Sequence, residues 1–221
     1  MKSMAILVPR NGGPDVLEYR EVDVPPPGPG EVQIRQTAIG LNYIDTYFRS
    51  GLYPPPAAFP YIAGEEGAGT VLAVGPDVTE FREGDRVAYP AAAGAYTAIR
   101  NVAAAKIVNV PDGIALETAA GMMMKGMTAE YLLNRTYKVG PDTILLFHAA
   151  AGGVGLIAGQ WAKALGATVI GTAGGPEKVA LAKRHGYDHV IDYNNEDFVT
   201  RVKDITGGKG VDVVYDSVGR D

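Results

Sequence analysis

The feature that most restricts what this chain can fold into is the stretch His148-Ala-Ala-Ala-Gly-Gly-Val-Gly155. An apolar run over 143–148 leads into it and a helical pattern over 154–165 leads out. Strand, glycine turn and helix in that order seat a diphosphate at a helix N-terminus, where unpaired backbone N–H groups and the helix dipole favour an anion. Ala150, Gly152 and Gly155 fall on the G-x-G-x-x-G spacing, with Gly153 and Val154 inside it. Position 150 is expected to make the tight turn, with alanine a tolerable departure. Gly152 lets the backbone approach a phosphate, and Gly155 lets the helix close onto the strand. A glycine turn with no ligand is the alternative for the motif alone. The flanking strand and helix patterns set it apart from that.

The chain before this motif reads as β. Strand patterns over 4–8 and 17–24 are separated by Gly12-Gly13-Pro14, and 31–38 alternates with period two. A short helix is expected over 42–50. Small residues among β-formers over 61–75 predict bulges or tight curvature. Residues 84–89 and short pieces over 94–110 continue a small barrel or sandwich. Two helices are expected next, over 117–124 and 128–135, with Gly126 between them. Strands over 143–148, 168–172, 189–193 and 211–216 then alternate with helices over 154–165, 176–185 and 196–206. That order implies a parallel sheet with right-handed crossovers.

Bulk properties narrow the partners. The net charge of −5 argues against a nucleic-acid partner held by phosphate neutralisation. With no cysteine, disulfides, thiolate zinc sites and a cysteine nucleophile are all excluded. The N-terminal apolar segment is too short for a signal peptide. The nearly uncharged stretch over 144–164 is interrupted by His148, Gln160, Lys163 and paired glycines, so no membrane association is expected. The expected compartment is the cytoplasm.

Six stretches carry a family resemblance: Gly40-Leu-Asn-Tyr-Ile-Asp-Thr-Tyr47, Arg49-Ser-Gly-Leu-Tyr-Pro-Pro-Pro56, Gly64-Glu-Glu-Gly-Ala-Gly69, Gly84-Asp-Arg-Val87, the glycine turn itself, and Tyr215-Asp-Ser-Val-Gly219. Through them the whole chain resembles the medium-chain dehydrogenase/reductase superfamily. Within it, the chain is similar to the zinc-independent, zeta-crystallin-like NADPH:quinone oxidoreductases. The resemblance implies an α/β fold: a GroES-like, β-rich catalytic domain over 1–125, then an NADPH-binding Rossmann domain over 126–221. Its doubly wound parallel sheet is expected to be truncated after the fourth strand. Zinc-dependent members carry Gly-His-Glu where Gly64-Glu65-Glu66 stands, and need a cysteine near positions 42–45. The three histidines here, at 148, 185 and 189, all lie outside the β domain. No metal is expected.

An NAD site places an acid about 20 residues after the motif begins. Here the second strand ends Gly171-Thr-Ala-Gly174, with no acid to repel a 2′-phosphate. Lys178 on the next helix can supply a point charge, although Glu177 stands beside it and a solvated lysine is the plainer account. The resemblance implies that Gly174, Lys178 and Tyr193 surround that phosphate, which favours NADPH. It places Asn42 and Tyr47 beside the nicotinamide and Tyr53 on the substrate side. It turns Lys125 and Thr128 toward the cofactor and brings the backbone at Ser217 close to it. Read from the residues alone, the tyrosines suit amphipathic packing, Asp45 a helix surface and Asn42 a helix cap. His148 is expected to pack rather than react. Met122-Met-Met124 suits either a flexible apolar pocket or core.

The expected activity is reduction of a small quinone. Reduction of an activated enal or enone double bond, or NADPH binding without catalysis, are the alternatives. Relatives imply a homodimer of the full-length form. A sheet ending on a bare fourth strand further implies an N-terminal piece of a longer protein. The natural protein should therefore be heavier than the 23.2 kDa of this chain by mass spectrometry; a native mass at that value would refute the expectation.

Overall fold

The computed structural model describes residues 1–219; Arg220 and Asp221, the last positions of the expected Rossmann domain, lie outside the described residues. The chain divides into two compact units, Met1–Met124 and Lys125–Asp221.

The first unit holds β1 (Lys2–Val8), β2 (Glu18–Asp23), β3 (Glu31–Gly40), α1 (Tyr43–Ser50), β4 (Tyr61–Ile62), β5 (Glu66–Val74), β6 (Arg86–Tyr89), β7 (Ile99–Ala103) and β8 (Val108–Asn109). They form two antiparallel sheets, ordered β2-β1-β4 and β7-β3-β5-β6-β8. The alternation in β3 sends Val32 and Ile34 inward, onto Val71, Val87, Tyr89 and Val102. The small residues of β5 do what their pattern predicts. The β3–β5 register shifts between Gln33 and Ile34 and again between Gln36 and Ala38. Opposite the second shift, a Cβ on Gly69 would lie 2.0 Å from the Arg35 carbonyl oxygen. Glycine is needed there because the bulged strand brings backbone against backbone.

Helix α2 (Leu116–Tyr131) contains the division between the units. It corrects the expectation of two helices broken at Gly126. Gly126 is not among the glycines with positive φ, so it makes no left-handed C-cap. A glycine inside a helix weakens it by about 1 kcal/mol but does not end it. The helix runs on instead into a π-helical turn, Leu132–Thr136.

The second unit alternates β9 (Ile144–Phe147), α3 (Gly153–Ala164), β10 (Thr168–Ala173), α4 (Pro176–Arg184), β11 (His189–Asp192), α5 (Phe198–Ile205) and β12 (Val213–Tyr215). Its four strands are parallel, in the order β11-β10-β9-β12. Both faces are covered, so β9 reads as a continuous apolar run. Leu145 and Phe147 join one core with Ala158, Ala162 and Tyr187; Leu146 joins the opposite one with Ile170, Ile191 and Val202. Pro176 opens α4 at a position whose N–H would be unpaired in any case. Asp197 caps α5 by accepting from the Thr200 N–H at 2.9 Å, so the helix starts two residues later than its pattern suggests. Strand β12 is shorter than expected. Just outside its ends, the Asp212 carboxyl accepts from the Ile144 N–H at the start of β9 and the Asp216 carboxyl from the Val218 N–H in the segment that follows.

Replacing Gly69 with Ala should destabilise the first unit by about 1–3 kcal/mol, because a rigid carbonyl must move. Gly113→Ala, where a Cβ meets nothing within 4 Å, is the control. Equal urea midpoints for the two variants would refute the bulge argument.

Candidate functional site

The glycine turn of the second unit is built from backbone. Ala149, and not position 150, takes the left-handed conformation, with φ of 54°. This corrects the expected division of labour. Ala150 is fully buried, and its N–H donates to the Thr172 carbonyl at 2.9 Å, so it is held against β10. The Gly152 N–H donates to the Ala149 carbonyl at 2.8 Å and closes the turn. Gly152 is the N-cap of α3, and both it and Gly153 are exposed. A Cβ on Gly155 would lie 2.5 Å from the Ala149 oxygen and 2.6 Å from that of Ala150, so glycine is what lets α3 close onto the strand end. A Cβ on Gly153 would lie 2.9 Å from Lys125 Cδ. The Lys125 stem therefore lies along the turn. The first turn of α3 offers backbone N–H groups to an anion, and the residues present fit a diphosphate there.

Two cavities flank this turn, and Asp216 lines both. One, of about 290 Å³, is walled by His148, Ala149, Thr172, Tyr193 and Phe198. The other, of about 320 Å³, is walled by Thr128, Phe147, Val154, Tyr215 and Ser217. Thr128, Val154 and Ser217 thus come together at one cavity, and Tyr193 stands at the other. Gly174 and Tyr193 are also neighbours, since a Cβ on Gly174 would lie 2.6 Å from the Tyr193 hydroxyl. Lys178 is exposed on the first turn of α4.

Asp192 was missed in the sequence. No acid ends β10, but Asp192 at the end of β11 reaches across and accepts from the Gly175 N–H at 2.9 Å. That bond, with those from Asn194 and Asn195, holds its carboxyl below the usual range. Only parallel pairing of β10 with β11 brings this acid beside Gly174. His148 is half-buried: its Nδ1 is 2.9 Å from Thr172 Oγ1 and its ring meets Phe198 edge-on.

In the first unit, Asn42 caps α1. Its N–H donates to Asp45 Oδ2 at 2.9 Å, and its side-chain Nδ2 donates to Glu66 Oε1 at 2.8 Å. Asp45 is buried, not on a helix surface, and the Tyr96 hydroxyl donates to its Oδ2 at 2.7 Å. Burial, and then this bond to Asp45, hold the Tyr96 phenol far above the ordinary range. Tyr47 and Tyr53 meet edge-on with ring centroids 5.4 Å apart, and the Tyr53 N–H donates to the Tyr47 carbonyl. Tyr53 remains 47% exposed, so it has a face to offer a flat ligand. Met123 packs with the core around Ala119 and Ala120, which fits the core reading for that part of the methionine run.

Two buried carboxyls follow Gly64. Glu66 is fully buried and hydrogen-bonded. Glu65 is 8% exposed; burial first and Asp45 second raise its pKa, against the opposing pull of Arg100 and Lys106. Among the described residues no group of three His, Asp or Glu is arranged to hold a metal ion. The chain contains no cysteine either, so its donor set does not fit a thiolate zinc centre. Among the described residues, too, no helix is long and apolar enough to cross a membrane.

Residues 28–141 match the alcohol dehydrogenase GroES-like domain family, and residues 153–221 match the zinc-binding dehydrogenase family. A quinone oxidoreductase of Pseudomonas aeruginosa is 56% identical over 211 residues, covering 95% of this chain and 65% of that protein. The crystal structure of Escherichia coli quinone oxidoreductase complexed with NADPH superposes with a TM-score of 0.95 at 51% identity, over 99% of this chain and 67% of that one. The chain belongs to the quinone oxidoreductase family of medium-chain dehydrogenases/reductases. A 2-haloacrylate reductase of a Burkholderia species is 49% identical over 225 residues, covering 99% of this chain and 67% of that protein. The chain spans about 65% of the length of the curated quinone oxidoreductases it matches.

The Glu65 shift has a stability consequence. Above the ordinary value of 4.5 the folded chain retains a proton that the unfolded chain has released. Stability therefore falls as pH rises from there through the raised value. Glu65→Gln removes that loss. Its melting temperature should match wild type at about pH 4, exceed it as pH rises above the ordinary value of 4.5, and hold a constant excess once the folded carboxyl has ionised. Parallel curves for the two proteins would overturn the assignment.

Proposed function

We propose that the protein of which this chain is part reduces small quinones with NADPH and without a metal, as a cytoplasmic homodimer. The observation that carries the reading is the glycine turn with the Lys125 stem laid along it and a cavity on either side. An extended dinucleotide needs that combination: an anion seat in the middle and room at both ends.

In this reading the backbone from Ala150 through Gly152, Gly153, Val154 and Gly155 holds the diphosphate. The cavity at Tyr193 takes the adenosine end, with Gly174 leaving room for the 2′-phosphate and Lys178 supplying charge. Lys125, Thr128 and Ser217 hold the nicotinamide half, and Asn42 orients it. NADPH, when bound, supplies the hydride. Tyr47 and Tyr53 hold the quinone by its faces and edge, and the Tyr47 hydroxyl stabilises the oxyanion that develops on the ring. Solvent supplies the proton. Residues 1–125 act as the catalytic domain and 126–221 as the NADPH-binding domain. The absence of cysteine and the carboxyl of Glu65 where zinc-dependent relatives carry histidine support the metal-free form.

A second reading is reduction of an activated carbon–carbon double bond, favoured by the similarity to the 2-haloacrylate reductase. It uses the same cofactor geometry, and product analysis separates the two.

The test uses the full-length protein. NADPH and NADH are titrated while Trp161 fluorescence is followed, and 1,4-benzoquinone is then added. NADPH preference with quinone-dependent loss of nicotinamide absorbance supports the reading. Tight binding without turnover on quinones or enones leaves a non-catalytic NADPH-binding protein. Lys178→Ala should weaken NADPH about tenfold, as expected for one lost charge contact, and leave NADH within twofold. Equal effects on the two cofactors would defeat the 2′-phosphate assignment.

A further inference from the structure

Glu66 is fully buried, and both of its oxygens are engaged. Oε1 accepts from Asn42 Nδ2 at 2.8 Å. Oε2 accepts from the Met124 backbone N–H at 2.7 Å. The second bond is unusual in kind. Met124 lies inside α2, where an uninterrupted helix directs that N–H to the carbonyl of Ala120. A side chain that inserts into this ladder sets the local course of a helix. The Ala120 carbonyl is close by: a Cβ on Gly40 would lie 2.3 Å from its oxygen and 2.4 Å from Glu66 Cγ. Gly40 therefore has no side chain so that the end of β3, the carboxyl and this turn of α2 can pack against one another.

A carboxyl with an N–H on each oxygen has one further consequence. Facing Glu66, the Asn42 amide presents its NH₂, which directs its carbonyl oxygen away from the carboxyl. We propose that Glu66 is a positioning residue: its carboxyl, together with the Asp45 N–H that the Asn42 side chain accepts from in the capping box, sets which way the Asn42 amide points, and it ties that amide to the turn of α2 that precedes Lys125. The link to catalysis rests on the role given to Asn42 above; the link between the three groups does not. Glu66 contributes through two hydrogen-bonded partners. Its removal disturbs the Asn42 orientation and the Met124 N–H together, although 58 residues separate Glu66 from Met124 in sequence.

Glu66→Gln is the probing substitution. It is isosteric, but it places an NH₂ against one of two donors. The favoured remedy is for the Asn42 amide to flip and accept. In the full-length protein, the Asn42 side-chain amide resonances, assigned by their loss in Asn42→Ala, should shift, and the Met124 amide should exchange with solvent at least about tenfold faster. Quinone turnover should fall about tenfold to a hundredfold, as for one lost charge-assisted bond, with NADPH affinity unchanged. Adding Asn42→Ala should cost little more, because the two act as a unit. Unmoved Asn42 resonances and wild-type exchange at Met124 overturn the proposal. So does full additivity of the two substitutions in turnover. Shifted resonances and faster exchange with unaltered turnover, or with a wild type that does not reduce quinones, uphold the positioning and refute the role given to Asn42. If Glu66→Gln fails to fold, Asn42→Asp probes the same link by facing Glu66 with a second carboxyl. Faster exchange at Met124 supports the link, and a wild-type rate there refutes it.

Discussion

The second unit depends on how closely α3 approaches the end of β9. Gly155 sits within contact distance of the Ala149 and Ala150 carbonyls, and no side chain fits between them. One turn further on, a Cβ on Gly159 would lie 2.3 Å from the Tyr187 ring, whose hydroxyl donates to the Gly155 carbonyl at 2.8 Å. Burial pushes that phenol far up, so the ring stays a neutral donor. These contacts fix the first turn of α3 over the strand ends. From that one constraint follow the exposure of Gly152 and Gly153, the rest position of Lys125, and the two cavities on either side.

The first unit solves a different problem. It buries three carboxyls, Asp45, Glu65 and Glu66, within a β-rich body. Burying a charge or an unsatisfied polar group is unfavourable, so such groups need partners or must hold their proton. Asp45 takes N–H and O–H donors from Asn42 and Tyr96. Glu66 takes N–H donors from Asn42 and Met124. Glu65, with weaker compensation, shifts toward its neutral form. The donors come from α1, α2 and the loop before β7, so satisfying the carboxyls also fixes where those segments lie.

Much of this was legible in the chain itself. Period-two alternation marked β3, the glycine-rich run in β5 marked the bulge, and the β-α alternation after residue 143 marked a parallel sheet. Asn42 was legible as a cap because it opens a helical pattern. The misses share one cause. Gly126 reads as a break, yet a glycine ends a helix only if it takes the left-handed conformation, which local sequence does not dictate. Ala149 takes that conformation without being a glycine, in the turn between β9 and α3. Asp192 and Gly175 lie 17 positions apart and meet only through strand pairing.

The sequence by itself determined the periodicity of the elements, their order, the backbone-only turn at 149–155 and the absence of a thiolate ligand. Each of these is a property of neighbouring residues or of composition. The tertiary structure alone decided which carboxyls are buried and by whom they are satisfied, that Glu66 joins Asn42 to Met124, and that Thr128, Val154 and Ser217 share one cavity. The physical reason is that a hydrogen bond or a cavity wall is set by distance in space, and residues from separate elements reach that distance only after the sheets have paired and the helices have closed onto them.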